Sequence, residues 1–178
     1  VAALFFMLIS LGALAFYAIQ QVAQAGWSPV LFRVMQGITA YLPAGSVIFF
    51  IILVLCGLHF NHIFVWLGEG VTDPNSANYD KIIAGKAWYL NLPFYFIRLI
   101  AYVVVWYFGW KAIRKYSLLE DEMGGLENYY KGRNASKLFM VFFAVTASTS
   151  AWDLSMVIDT HWFSTMFGWY HLASWHVA

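Results

Sequence analysis

The sequence predicts an all-α fold, a polytopic transmembrane bundle of about four to five membrane helices with one more helix lying along the interface. Three observations predict it. The chain is 62% hydrophobic and only 11% charged, whereas soluble domains carry about 25% charged residues. Its mean hydropathy is +0.66. Its apolar residues fall in long runs, close to the roughly 20 residues that span hydrocarbon as a helix. The runs lack the period-two alternation of barrel strands.

Residues 1–25 form the first spanning run; a signal peptide here would be unusually long and lacks a basic flank. Residues 26–43, GWSPVLFRVMQGITAYLP, carry Trp27 and Tyr41 near their ends and are punctuated by Pro29 and Pro43. Leu31, Val34, Met35 and Ile38 recur at helical spacing, which predicts an interfacial helix with Arg33 towards water. Residues 44–67 are the second spanning run. Residues 68–92 form a polar outer loop around the turn-rich VTDPNSAN. Residues 93–112 span again. Residues 113–137 read as a charged cytoplasmic loop containing EDEMGG, 138–158 as the fourth span and 159–167 as an outer connection. Residues 168–178 begin a truncated fifth helix. The chain is expected to be a piece of a longer polytopic protein.

Basic residues set the orientation. Lys111, Arg114, Lys115, Lys131, Arg133 and Lys137 flank or occupy the third connection, and Arg33 lies in the first. The second loop has Lys81 and Lys86, and 159–167 has none. The first and third connections are therefore expected to be cytoplasmic and the other two to face outward. A net charge of +1 gives no reason to expect nucleic acid. The single cysteine, Cys56, excludes a disulfide within the chain and a cysteine-based metal site.

Ionisable groups inside hydrocarbon are costly and are commonly functional. Thr146, Thr149, Ser150 and Asp153 share one face of the fourth run, and Tyr95, Arg98 and Tyr102 share one face of the third. Arg98 and Asp153 fall at similar depth below the outer boundary. His59 and His62 end the second run, Asp159 and His161 follow the fourth, and the fifth carries His171 and His176. Convergence of these groups would make a hydrated cluster able to pass protons. The candidate proton-path residues are Asp153, Arg98, His59, His62, Asp159, His161, His171, Thr149 and Ser150. An alternative is a quinone headgroup seated by Tyr95, Arg98 and His62. Tyr17, Gln20, Gln21 and Gln24 suggest an inner water path. The plainer alternatives are a structural Arg98–Asp153 ion pair, interhelical Ser/Thr bonding and helix-end histidines. His171 and His176 point about 140° apart, so a haem between helices would need His59 with one of them.

Three stretches, KAWYLNLPFYFIR (86–98), GWSPVLFRVMQGITAYLP (26–43) and WDLSMVIDTHWFSTMFGWY (152–170), resemble the ActF-type subunits of bacterial alternative complex III, a quinol:electron-acceptor oxidoreductase. The resemblance implies an NrfD/PsrC-like subunit of roughly ten helices, of which this chain is about half. It implies a bacterial inner (cytoplasmic) membrane location and no redox centre on this chain. Haem c, iron–sulfur clusters and quinol are then expected on partners: an NrfD-like sister subunit, a multihaem cytochrome c and iron–sulfur subunits, with a terminal oxidase as an associated complex. The matching motif residues are Lys86, Tyr89, Asn91, Arg98, Asp153, Asp159, His161 and Ser164. The chain has neither a CxxCH motif nor a cysteine cluster, in keeping with that division of labour. The implied role is a proton-conducting path with a scaffold for extrinsic subunits. A quinone-binding anchor, a pure docking subunit and a solute transporter are the competing readings.

Overall fold

The computed structural model describes residues 2–58, 64–68 and 70–177, apart from the side chains of 175–177. The helices among the described residues are α1 (Ala2–Ala23), α2 (Phe32–Thr39), α3 (Leu42–Gly57), α4 (Lys81–Lys86), α5 (Leu92–Met123), α6 (Leu126–Leu154) and α7 (Thr165–Val177). No strand occurs among those residues. Four helical segments are long and apolar enough to cross a membrane. The chain is an all-α membrane bundle, as its composition predicts.

The antiparallel α5–α6 hairpin is the largest packing unit, and α1 lies against α6, α2, α3 and α7. The α5 seam is Tyr95, Leu99, Tyr102, Trp106, Ile113 and Ser117. The facing α6 seam includes Asn128, Gly132, Ser136, Phe139, Phe143, Thr146, Ser150 and Asp153. Steps of three and four keep each seam on its partner over many turns. Gly109 admits the Phe139 ring, which a β-carbon at 109 would strike. Gly12, Ala15 and Ala18 are buried on α1, and such small residues let membrane helices approach closely.

The hairpin corrects one expectation. Residues 113–137 are not a loop: α5 continues to Met123, and α6 begins at Leu126. The reversal uses Gly124 (φ 63°) and Gly125 (φ 81°), where a side chain would be strained. Charge was the misleading signal. Lys111, Arg114, Lys115 and Lys137 occupy outer helix faces, while Ile113, Ser117, Asn128, Gly132 and Ser136 continue the buried seam. Taking 93–112 as the hydrocarbon crossing, the stem projects about 18 Å beyond it.

Other boundaries shift too. The second run, predicted over 44–67, is α3 to Gly57, with a separate 3-10 turn at Val65–Leu67. The fourth run ends at Leu154 and is followed by a 3-10 turn at Met156–Ile158. The last helix begins at Thr165 rather than 168. The short helix expected in 26–43 is α2, but Arg33 does not simply face water. It reaches Gln36 (2.6 Å), the Ser117 carbonyl (3.3 Å) and Asp121 on the projecting stem.

Two faces result. The first connection meets the α5–α6 tip through Arg33, which defines the basic face. At the other end, the second loop meets the connection after α6. Lys86 Nζ donates to the Thr160 carbonyl at 2.5 Å, and His161 Nε2 lies 2.5 Å from Asp80 Oδ2. The pairing of connections expected from the basic residues is therefore the pairing seen in space.

Candidate functional site

Asn91 begins the construction of the site. Its Oδ1 accepts from the Phe94 N–H at 2.9 Å and its Nδ2 donates to the Trp88 carbonyl at 2.9 Å. This cap starts α5 and ties the preceding turn to it. The Tyr89 carbonyl then accepts from Arg98 Nη1 at 3.0 Å. The Arg98 guanidinium carbon lies 3.8 Å from the Tyr89 ring centroid and 4.4 Å from that of Phe94. The rings shield the cation and contribute cation–π attraction.

Asp153 comes from the last turn of α6 and is wholly buried. Arg98 grips it with both edges of the fork, Nε to Oδ2 and Nη2 to Oδ1, each at 2.9 Å. The Tyr102 hydroxyl donates to Oδ2 at 2.6 Å, and the Tyr95 hydroxyl donates to the Asp153 carbonyl at 2.9 Å. A buried carboxylate is tolerable only with such partners. Burial pushes the Tyr89 phenol up to about 12; the Asp153 carboxylate adds to the rise and Arg98 opposes it. Tyr89 therefore stays protonated at neutral pH.

The polar chain continues inward for about two turns. Thr149 lies beside Tyr102, and Trp106 Nε1 donates to Thr146 Oγ1 at 3.1 Å. Beyond Thr146 the seam is Phe143 and Phe139, both buried. Polarity returns at Ser136, whose hydroxyl donates to Gln21 Oε1 at 2.5 Å. Close by, Gln36 Nε2 donates to Ser117 Oγ at 2.7 Å, and Tyr17 adjoins both residues. Thr146 and Ser136 are ten positions apart on one helix, about 15 Å. An apolar aromatic layer separates two polar clusters.

Not every candidate joins the first cluster. Asp159 and His161 lie in the connection between α6 and α7. Asp159 Oδ1 accepts from the His161 N–H at 3.2 Å, and His161 pairs with Asp80. His171 on α7 meets Ser155 Oγ at 3.2 Å and stacks on Phe167. Ser150 donates to the Ala147 carbonyl within its own helix. Thr149 donates to Val145 O at 3.0 Å within its helix but, beside Tyr102, does join the first cluster. His59 and His62 lie outside the described residues, as does the His176 side chain. Tyr102 and Tyr89 are the main additions. Tyr102 was legible from its i+4 spacing to Arg98, whereas the role of the Tyr89 backbone carbonyl has no sequence signal.

Asp80 serves two partners. Its Oδ1 caps α4, accepting from Ile82 N–H (2.8 Å) and Ile83 N–H (3.3 Å), while Oδ2 faces His161. Partial desolvation is the largest single influence and pushes the carboxyl up. The two amides and the His161 ring together outweigh it and hold the group below its ordinary value. Among the described residues, no group of three or more His, Cys, Asp or Glu is gathered as metal ligands. No family model matches the chain, and neither does any curated protein.

Proposed function

We propose that this chain is a non-redox membrane subunit of an ActF-type quinol:electron-acceptor oxidoreductase in a bacterial cytoplasmic membrane. It holds an intramembrane proton-handling group and serves as scaffold for partners that carry haem c, iron–sulfur clusters and the quinol site. The observation that carries this reading is the buried Asp153 carboxylate, held by Arg98 and Tyr102 at membrane depth. Such an arrangement is expensive in hydrocarbon and is characteristic of ion and proton handling. The three sequence stretches that resemble ActF include both members of the pair. The Asp153–Tyr102–Thr149 line supplies the outer half of a path, and Gln21 with Ser136 starts the inner half.

The apolar layer at Phe139 and Phe143 favours a second reading, in which the pair is a latch that fixes helix register in a scaffold. Asp153→Asn in the assembled complex separates the two. Proton handling predicts about a hundredfold or greater loss of coupled turnover with assembly retained, the scale of a positioned proton-transfer group. Retained turnover and proton release would leave the latch. Purification in mild detergent tests the wider assignment: multihaem and iron–sulfur proteins should co-purify, and their consistent absence would overturn it. A quinone at Tyr95 and Arg98 is the weaker alternative, because both already donate to Asp153.

A further inference from the structure

A cleft beside the Arg98–Asp153 cluster, sharing Tyr89 with it, opens where the α6 end meets the turn before α5. It has a volume of about 220 Å³, and Lys86, Trp88, Trp152, Thr160, Trp162 and Phe163 are among its walls. Its polar groups are donors. The Lys86 ammonium has three N–H bonds and gives one to the Thr160 carbonyl. Among the described residues no carboxylate lies within ion-pairing distance of it. A cation without a counter-charge in a partly dehydrated cleft is costly, and an anionic oxygen ligand meets that deficit.

The surroundings identify its class. Trp88, Trp152, Trp162 and Phe163 are all strongly exposed around the rim, and aromatic rings of this kind mark the level of lipid headgroups. The volume is below the roughly 300–1,000 Å³ of pockets that enclose whole drug-sized ligands. It suits a headgroup whose tails run outside, along the exposed Val141 and Val145 of α6. We propose that this cleft binds the phosphate of an anionic membrane phospholipid, with Lys86 as counter-charge and the aromatic rim holding the headgroup level. The proposal rests on the membrane helices alone and not on the quinol reading.

Native mass spectrometry of the full protein in detergent tests it, with dioleoylphosphatidylglycerol, dioleoylphosphatidylcholine and decylubiquinone as probes. A lysine near an anionic lipid surface is worth about fivefold in binding. The phosphatidylglycerol preference over phosphatidylcholine should therefore be about fivefold, and Lys86→Gln should abolish it. Lys81→Gln, on the same loop but outside the cleft, should leave it intact. Equal binding of the two lipids, or a preference indifferent to Lys86→Gln, would overturn the proposal. So would decylubiquinone binding in a Lys86-dependent manner in place of the lipid.

Discussion

Replacing Arg98 and Asp153 singly and together gives the most direct measure of what the pair contributes. The two parallel 2.9 Å bonds bring the charges to about 4 Å, worth about 4 kcal/mol at an effective dielectric near 20. Removing one partner leaves the other charge buried, which costs about 3–5 kcal/mol. Asp153→Leu is the harsher single change, because Arg98 then lies between two aromatic rings with one carbonyl acceptor. Removing both charges relieves that penalty. Tyr102 then lacks its acceptor, a loss of about 1 kcal/mol on the scale of membrane hydrogen bonds. The double variant should therefore be about 2–4 kcal/mol more stable than either single variant. Steric-trap unfolding in bicelles, run on the four proteins as a double-mutant cycle, reads this coupling. Costs that simply add, to within about 0.5 kcal/mol, would refute the claim that the two side chains act as a desolvated pair.

Two further outcomes follow from the packing and the loop before α4. Gly109→Val drives a β-carbon into the Phe139 ring and should cost about 1–3 kcal/mol by overpacking, read by the same unfolding assay and partly restored by Phe139→Leu. The Asp80 carboxyl is held below its ordinary value, so its contribution is present above the unfolded carboxylate pKa and is lost as pH falls through the lower folded value. Hydrogen exchange at Ile82 and Ile83 should accelerate as pH drops below about 4, after correction for intrinsic exchange, and Asp80→Asn should remove that dependence.

Spans and polar faces were legible because hydrocarbon imposes strong rules on composition. Helical spacing put Arg98 with Tyr95 and Tyr102, and Asp153 with Thr149; their depth then suggested that the two faces meet. The projecting stem was not legible in the same way. A charged stretch can be a loop or a helix in water, and only its partner seam decides. Ile113, Ser117, Asn128, Gly132 and Ser136 carry that seam, but four of the five are polar or glycine, so no apolar stripe announces it. Arg33 was misplaced for the same reason. Its acceptors, the Ser117 carbonyl and Asp121, exist only once α5 is known to run on past the hydrocarbon. Asp159 and His161 lay near Asp153 in sequence, yet the turn after α6 carries His161 to Asp80 instead, and Asp159 accepts from the His161 N–H.

The spacing of the two polar clusters constrains any transport role. Inward of Asp153 the polar side chains are Tyr102, Thr149 and Thr146, whose threonine hydroxyls donate to carbonyls of their own helix, and Phe143 and Phe139 then offer no acceptor for about 15 Å. Burying a charge in that layer would be far costlier than pairing it at either end. Transfer across this seam therefore needs water admitted by helix movement, or a route completed by a neighbouring chain. The Arg98 end does not favour such movement, because a forked ion pair, two tyrosine hydroxyls and the Asn91 cap all restrain the hairpin there. The Gly109–Phe139 contact is the better place to look, because a ring rotation there opens the seam without breaking any of those hydrogen bonds. A coupling mechanism would then act on the aromatic layer, with Asp153 as the group whose charge the opened path serves.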